Sequence, residues 1–235
     1  MASSPQKLLV WDFDGTLGRR KPTWGETLLA ALNEASASHG LTVHDLNPHL
    51  QTGFPWYDAV STRNAIPSPD EWWAALESVF VRAYVACRVD LDRANAAAGL
   101  VRGRFVDLSD WELYADSLPA LAAAQRAGWT QVILSNNVPE FPEIIGALGL
   151  NGYIDRAFTS AALLAEKPNR VVFQAVSAAY PQASSVVMVG DNPIADIEGA
   201  RAAGMRAILA RAGQSGIDAI VTLDELEARL DQTPK

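Results

Sequence analysis

The chain contains almost no cysteine and no long apolar run. Cys87 is the single cysteine among 235 residues, so no disulfide can form within the chain and no cysteine cluster exists to hold zinc or an iron–sulfur centre. No run approaches the roughly 18 consecutive apolar residues of a membrane-spanning helix, and residues 1–7 lack the apolar stretch of a signal peptide. We therefore expect a soluble, cytoplasmic protein without a membrane partner.

Positive charge is also scarce. The sequence has 19 lysines and arginines against 27 aspartates and glutamates, which gives a net charge of −8, and no basic block is long enough to follow a phosphate backbone. This balance argues against nucleic acid as a partner. By contrast, 49% of the residues are apolar and only 20% are charged, which favours a folded chain over a disordered one. The length predicts one large domain, or a core that carries a smaller insert.

Three short apolar runs each end abruptly in polar residues. They occupy residues 8–11, 132–134 and 186–189. Continuous apolar runs of this length predict strands that are buried on both faces, as in a parallel sheet. Over residues 115–212, helical patterns that begin near proline or stop at glycine alternate with these strands. The alternation predicts an α/β fold with a doubly wound parallel sheet.

Residues 22–108 have a different character, with long amphipathic helical patterns and no convincing strand. Ser68 and Glu71 have the spacing of a capping box at the start of one of these helices. We therefore predict a core domain formed by residues 1–21 and 109–235. Residues 22–108 are predicted to form an all-helical domain inserted after the first strand.

Two aspartates follow the first predicted strand. Because Asp12 and Asp14 are two residues apart on an extended backbone, their side chains project to the same side. Two close carboxylates share a cation or hold a proton between them, which suits phosphoryl transfer assisted by Mg²⁺: one attacks phosphorus and the other moves the leaving-group proton. A purely structural turn is the alternative. A calcium loop of the EF-hand type is excluded, because its sixth and twelfth positions would be Leu17 and Thr23.

Further polar residues follow the other strands, at the sheet edge where open α/β proteins bind ligands. Asp191 and Asp196 supply a second acidic pair that could complete the oxygen shell of Mg²⁺. Ser135 and Asn136 could offer a hydroxyl and a backbone N–H to a phosphate oxygen. Lys167 begins a helix, where a cation is unfavourable unless an anion lies nearby. A helix cap, a plain loop and a surface lysine are the respective structural alternatives.

Together these segments resemble the motifs of the haloacid dehalogenase superfamily of aspartyl-phosphate phosphohydrolases. The matching segments are Asp12-Phe13-Asp14-Gly15-Thr16-Leu17, Ser135-Asn136, Lys167-Pro168, and Gly190-Asp191 through Asp196. They follow one another in the family's order, and the resemblance covers residues 7–18 and about 110–212. It implies a Rossmann-like core. The helical insert corresponds in position and character, though not by motif, to the family's first-type cap domain.

The resemblance implies a role for each catalytic and phosphate-binding residue. Asp12 would be the nucleophile that becomes phosphorylated, and Asp14 would be the general acid and then the base for the attacking water. Ser135, with Asn136 beside it, would bind the phosphoryl oxygens. Lys167 would neutralise their charge.

The resemblance also implies a magnesium site. Asp191 would bind Mg²⁺ together with Asp12 and the backbone carbonyl of Asp14. Asp196 would support the metal shell or orient Lys167.

The expected activity follows from these roles. Because the dehalogenases and phosphonate-cleaving members of the superfamily do not keep an aspartate at the position of Asp14, its presence favours phosphate esters. We expect a Mg²⁺-dependent phosphohydrolase that acts on a small phosphorylated metabolite. A sugar-phosphate mutase with the same nucleophile stays open, and an idle binding protein is disfavoured because no motif residue is missing. The sequence determines neither the substrate nor the oligomeric state.

Several residues near or within the insert have two readings. Phe54 and Trp56 lie in a predicted loop and could close over a substrate or pack into a core. Arg19, Arg20 and Lys21 could attract an anionic substrate or form a solvated run of charge. The residue pattern does not decide between these readings.

Overall fold

A computed structural model describes residues 6–36, 38–54, 68–216 and 218–230. Contacts divide the described residues into two compact units. The first unit contains residues 6–19 and 112–230, and the second contains residues 20–54 and 68–111. The chain therefore leaves the first unit after the first strand motif and returns to it later, as an inserted segment does. The role of the second unit as a cap stays a prediction.

Five parallel strands form the central sheet of the first unit. β1 (Gln6–Trp11) lies in the middle, between β4 (Trp129–Ser135) and β6 (Ala183–Gly190), while β5 (Arg156–Thr159) and β7 (Arg206–Leu209) form the edges. Each neighbouring pair is parallel. The predicted α/β fold is confirmed. Successive strands are added first on one side of β1 and then on the other, which opens a crevice at the carboxyl ends of the central strands.

Helices accompany the sheet along the chain. In the first unit they are α5 (Ser117–Arg126), α6 (Phe141–Ala147), α7 (Ser160–Leu163), α8 (Arg170–Ala179), a π-helix (Pro193–Glu198), α9 (Gly199–Ala202) and α10 (Leu226–Leu230), with 3₁₀ turns at Leu150–Gly152 and Leu223–Glu225. Leu8 and Val10 of β1 share a buried cluster with Phe173 of α8. Leu9 and Trp11, which project to the opposite face, are also fully buried. The central strand is thus covered on both sides, as its continuous apolar run predicts.

A buried glutamine links the two central strands to a helix. Gln131 on β4 is 1% exposed, and its side-chain oxygen accepts a hydrogen bond of 3.0 Å from Trp11 Nε1 on β1. Its Nε2 donates to the backbone carbonyl of Leu121 in α5 at 2.9 Å. The Gln131 side chain therefore satisfies the buried indole N–H of Trp11, and its own amide group is itself hydrogen-bonded.

The described part of the second unit is mainly helical. It contains α1 (Trp24–Ala35), α2 (Val43–Leu46), α3 (Pro69–Ala86) and α4 (Leu91–Phe105), with 3₁₀ turns at Asn47–Leu50 and Leu108–Asp110. The capping box at Ser68 and Glu71 is present, since each side chain accepts a hydrogen bond from the other residue's backbone N–H. Two short strands, β2 (Gly18–Arg20) and β3 (Trp111–Leu113), form a separate two-stranded sheet. Within the described residues, no helix is both long and apolar enough to cross a membrane.

Aromatic side chains form the core of the second unit. The Trp24 ring stacks on Phe105 at a centroid distance of 4.4 Å and lies 5.1 Å from Phe54 and 5.6 Å from Phe80. Phe54 is only 3% exposed, so the structure places it in this core. Trp56 lies outside the described residues.

Arg20 is a structural residue of the same unit. Its guanidinium lies 4.4 Å from the centroid of the Phe105 ring and donates to the backbone carbonyls of Phe105 and Pro22 and to Thr27 Oγ1. Through these contacts the Arg20 guanidinium connects α1 to the end of α4. The neighbouring Arg19 pairs with Glu112, which lies 2.6 Å away, and its side chain is largely exposed.

Replacing Gln131 with leucine is expected to destabilise the protein. Gln131→Leu keeps the size but leaves the buried Trp11 indole N–H without a partner. We expect a loss of about 1–3 kcal/mol in the free energy of unfolding. Urea denaturation, followed by tryptophan fluorescence, measures this loss.

Gln125→Leu is the matched control. Gln125 is exposed and donates one hydrogen bond to the carbonyl of Gly152, so its replacement is expected to change stability by at most about 0.5 kcal/mol. Equal effects of the two variants would contradict a special role for the buried glutamine.

Candidate active site

The carboxyl ends of the three central strands bring the predicted site residues together. Asp12 follows β1 directly, and its backbone N–H donates to the carbonyl of Val189 on β6 at 2.8 Å, which continues the strand pairing. Ser135 ends β4 and is 1% exposed, and Asp191 follows β6. The sheet therefore holds these side chains at one edge on backbone that is itself hydrogen-bonded.

A buried lysine lies between two aspartates. Lys167 Nζ is 2.6 Å from Asp12 Oδ1 and 2.6 Å from Asp196 Oδ1, and all three side chains are buried. Burial alone would lower the pKa of Lys167, but the charges of the two carboxylates outweigh burial and raise it. The side chain is therefore an ammonium ion. The sequence predicted an anion beside this cation, and the structure places two there, the carboxylates of Asp12 and Asp196.

The same aspartates belong to an acidic cluster. One carboxylate oxygen from each of Asp12, Asp191 and Asp196 lies within 4.8 Å of the other two. Burial raises the pKa of Asp12 well above its usual value, although Lys167 acts in the opposite direction, and burial together with the charge of Asp196 raises the pKa of Asp191. Burial and close negative charge therefore both act against full ionisation of these carboxyl groups.

The cluster fits a divalent cation. Among the described side chains, Lys167 alone forms an ion pair with it, so one positive charge faces three carboxylates. Carboxylate oxygens are hard donors of the kind that Mg²⁺ prefers over nitrogen or sulfur ligands. A bound cation would stabilise the charged carboxylates of Asp12 and Asp191 against the burial, and the smaller repulsion from Asp196, that raise their pKa.

Two glycines let the backbone approach the carboxylates. A Cβ atom on Gly15, which has a φ of +85°, would lie 2.3 Å from Asp191 Oδ2. A Cβ on Gly190 would lie 2.3 Å from the carboxyl group of Asp196. Thr16 Oγ1 also donates to Asp191 Oδ1 at 3.3 Å. The loop after β1 therefore packs directly on Asp191, and any side chain at position 15 would displace the carboxylate.

Asp14 lies at the exposed side of the site. In contrast to the buried Asp12, it is exposed, and its Oδ2 accepts a hydrogen bond of 2.7 Å from Nδ2 of Asn137. Sequence reasoning missed Asn137. The available signal was its place directly after Ser135 and Asn136 at the end of β4.

Asn136 holds the segment that carries the lysine. Its Oδ1 accepts from the backbone N–H of Lys167 at 2.7 Å, and its Nδ2 donates to the carbonyl of the same residue at 3.1 Å. The Asn136 side-chain amide thus bonds to both the N–H and the C=O of the Lys167 backbone. Binding of phosphate by Ser135 and by the Asn136 backbone N–H stays a prediction.

Asp196 has contacts compatible with both of its predicted roles. Oδ1 accepts from Lys167, and Oδ2 accepts from the backbone N–H of Asn192 at 3.0 Å. The helix-cap alternative applies to Asn192, whose Oδ1 accepts from the backbone N–H groups of Ile194 and Ala195 at the start of the π-helix. Capping by Asn192 leaves Asp191 in the acidic cluster.

An arginine–aspartate pair supports the loop after β1. Arg211 forms two hydrogen bonds with the carboxylate of Asp116, at 2.6 and 2.7 Å, and its Nη2 donates to the carbonyl of Thr16 at 2.8 Å. Asp116 also accepts from the backbone N–H of Leu223 at 2.9 Å. Arg211 has a φ of +57°, which is strained for a residue with a side chain. The pair therefore connects the loop after β1 to the segments that contain Asp116, Arg211 and Leu223. No sequence pattern predicted this pair.

Comparison with known proteins identifies the family. The family model described as haloacid dehalogenase-like hydrolase matches residues 6–204. This chain belongs to that family. The superfamily resemblance of the motifs is thereby confirmed, and the protein is an enzyme of the hydrolase class.

Individual relatives match most of the length of this hydrolase. This chain is 29% identical over 228 residues to the human "haloacid dehalogenase-like hydrolase domain-containing protein 3", and the match covers 92% of this chain and 85% of that protein. It is 28% identical over 224 residues to the phosphoserine phosphatase of Thermus thermophilus, covering 86% and 87% respectively. A HAD-hydrolase structure from Bacillus subtilis, solved with bound magnesium, matches at 19% identity and a TM-score of 0.69, covering 97% of this chain and 100% of that one. The last likeness concerns the fold alone.

The Asp116–Arg211 pair is expected to stabilise the hydrolase in a pH-dependent way. Burial would raise the pKa of Asp116, but the hydrogen bonds from Arg211 and the Leu223 N–H outweigh it and lower the pKa. A lowered folded-state pKa means that the stabilisation is complete above the unfolded pKa of about 3.9 and is lost as the pH falls through the folded value. Asp116→Asn should therefore cost about 2 kcal/mol at pH 7. The difference from the wild type should shrink below about pH 4.

Urea denaturation at a series of pH values measures this difference. Asp224→Asn is the control, because Asp224 is exposed and should match the wild type within about 0.5 kcal/mol throughout. A difference between the wild type and Asp116→Asn that stays constant from neutral to acidic pH would show that the charge of Asp116 is not what stabilises the loop.

Proposed function

We propose that this hydrolase is a Mg²⁺-dependent phosphatase that cleaves small phosphate monoesters through a phosphorylated Asp12. The observation that carries the proposal is the buried ammonium of Lys167, held 2.6 Å from the Asp12 carboxylate at the end of β1. A cation in this position attracts a phosphate dianion to the carboxylate that is to attack it. The name of the Thermus thermophilus relative, a phosphoserine phosphatase, supports phosphate esters as the substrate class.

The proposed reaction has two steps. In the first, an Asp12 oxygen attacks phosphorus and the bond from phosphorus to the ester oxygen breaks, while Asp14 gives its proton to the leaving alcohol. In the second, Asp14 accepts a proton from a water molecule that attacks phosphorus. The bond from phosphorus to Asp12 then breaks, which releases inorganic phosphate and restores both carboxyl groups.

The remaining residues of the proposed site would bind the phosphoryl oxygens and the metal. Lys167 and the Ser135 hydroxyl would bind the phosphoryl oxygens, and Asp196 would hold Lys167 in place. Asp12 and Asp191 would hold Mg²⁺, which when bound supplies positive charge that lets an anionic carboxylate approach an anionic phosphate. Because the site carries more carboxylates than cations, it would repel a phosphate alone. A metal ion would offset this negative charge, so the site favours a phosphate that binds together with a metal.

Asp14 favours an ester over a carbon–halogen bond on chemical grounds. An alkoxide is a poor leaving group and needs a proton, whereas a halide leaves without one. An exposed carboxyl group two residues from the nucleophile suits this proton transfer. We further propose that the inserted segment, residues 22–108, is the family's cap and that it selects among phosphorylated metabolites.

Release of phosphate tests the proposed function. Purified wild-type protein should release inorganic phosphate from members of a panel of small phosphate monoesters when Mg²⁺ is present, and not when EDTA removes the metal. Asp12→Asn lacks the attacking oxygen anion, so we expect its rate to fall by about a thousandfold or more.

Asp224→Asn is the control for this loss of charge, because Asp224 is an exposed residue of the first unit and should leave the rate unchanged. Release that survives in Asp12→Asn would rule out the nucleophile. Conversion of a sugar phosphate to its isomer with little release would indicate the mutase instead.

Binding of the metal can be measured without turnover. A ligand that binds only the folded state at a hundred times its Kd stabilises it by about 2.7 kcal/mol. For a protein of this size that corresponds to a rise in Tm of about 5 °C or more. We expect Mg²⁺ to raise the Tm of the wild type and of Asp224→Asn by this amount, and to have little effect on Asp191→Asn. An equal rise in Asp191→Asn would exclude the acidic cluster as the metal site.

A further inference from the structure

Asn137 is a buried amide that the two-step reaction does not use. It is the second residue after β4 and is 7% exposed. Its backbone carbonyl lies 3.5 Å from the hydroxyl of Ser160, so its main chain is also in contact with the segment after β5. A buried amide at this edge of the sheet requires partners for both its oxygen and its nitrogen.

The contacts of Asn137 determine the orientation of its amide. Oδ1 lies 2.9 Å from the backbone nitrogen of Val138. Because a backbone N–H can only donate, the atom beside it must be the amide oxygen. The NH₂ group therefore points the other way, where it lies 2.7 Å from Asp14 Oδ2 and 3.5 Å from Ser135 Oγ.

This orientation constrains the carboxyl group of Asp14. An N–H that donates to Oδ2 occupies one of the two lone pairs of that oxygen and therefore favours Oδ1, which accepts nothing from Asn137, as the oxygen that carries the proton of Asp14. The same hydrogen bond limits rotation of this exposed carboxyl group. Proton transfer depends strongly on such alignment, since misplacement by about 1 Å can cost a hundredfold in rate.

We propose that Asn137 is a positioning residue that holds Asp14 in the orientation needed to protonate the leaving oxygen. This inference rests on the proposed function, in which Asp14 is the general acid. Asn137 does not touch the reacting atoms. Its contribution is the direction in which Asp14 presents its proton.

The dependence of the rate on the leaving group tests the proposal. Phenolate, whose conjugate acid has a pKa of about 10 like tyrosine, needs a proton more than p-nitrophenolate does. For Asn137→Ala and Asn137→Asp we expect kcat/KM to fall about tenfold with phenyl phosphate, and by less than about threefold with p-nitrophenyl phosphate. We define the ester ratio as kcat/KM with phenyl phosphate divided by kcat/KM with p-nitrophenyl phosphate. Asp14→Asn should lower this ratio as well, by about a hundredfold.

The two Asn137 variants separate positioning from structure. Asn137→Asp keeps the oxygen that accepts from Val138 and loses only the donor to Asp14, whereas Asn137→Ala loses both. A purely structural role would therefore spare Asn137→Asp. The added charge of that variant affects the binding of both esters, and the ratio between them cancels this effect. Asn151→Ala, at an exposed position of the first unit, should leave both rates unchanged, and the Tm of each variant confirms folding.

The possible outcomes distinguish this inference from the proposed function. A ratio that falls in both Asn137 variants supports positioning, and a ratio that falls in only one of them, or in neither, overturns it. If Asp14→Asn also leaves the ratio unchanged, Asp14 is not the general acid and the proposed function fails in that step. If the wild type releases phosphate from no ester, the proposed function fails as a whole.

Discussion

The contact of the Lys167 ammonium with two buried carboxylates is the interaction on which the site depends. Charges taken out of water are costly unless each is paired and hydrogen-bonded, and loss of one partner leaves an uncompensated charge. The lysine lies between Asp12, which follows β1, and Asp196, which comes after β6, while the side chain of Asn136, which follows β4, bonds to the backbone N–H and C=O of the lysine. The three central strands therefore cooperate to place a single positive charge, and the order of the strands in the sheet makes this possible.

The same geometry leaves the site short of positive charge. Among the described side chains, the cluster of three carboxylates has one ammonium, which contacts two of them. The bare backbone of Gly15 and Gly190 lets the loops pack against Asp191 and Asp196 with no side chain between. Such crowding works against stability and is maintained by the apolar packing on both faces of β1 and by the Arg211 contact to the loop. Local strain and repulsion at one edge of a well-packed sheet are typical of a site organised for binding a ligand rather than for stability alone.

The sequence predicts the centre of this molecule better than its periphery. β1, β4 and β6 are recognisable because strands buried on both faces are continuous apolar runs, and the polar residues that end them mark the site. β5 and β7 escape notice because they are four-residue edge strands that each begin with arginine. Asn137, Asp116 and Arg211 escape notice for another reason. Their contacts join residues about a hundred positions apart in the chain, and no local pattern encodes such a pairing.

Asp12 and Asp14 show how the fold divides two equivalent residues. In the sequence they are two carboxylates of one short motif. In the structure Asp12 is buried and paired with an ammonium, while Asp14 is exposed and accepts from a neutral amide. The ammonium stabilises Asp12 as the anion that the proposed attack on phosphorus requires, and exposure suits Asp14 to the proposed exchange of protons with solvent and alcohol. Because the lysine and the amide come from segments more than 120 residues further along the chain, this division of roles arises from the tertiary fold rather than from the motif.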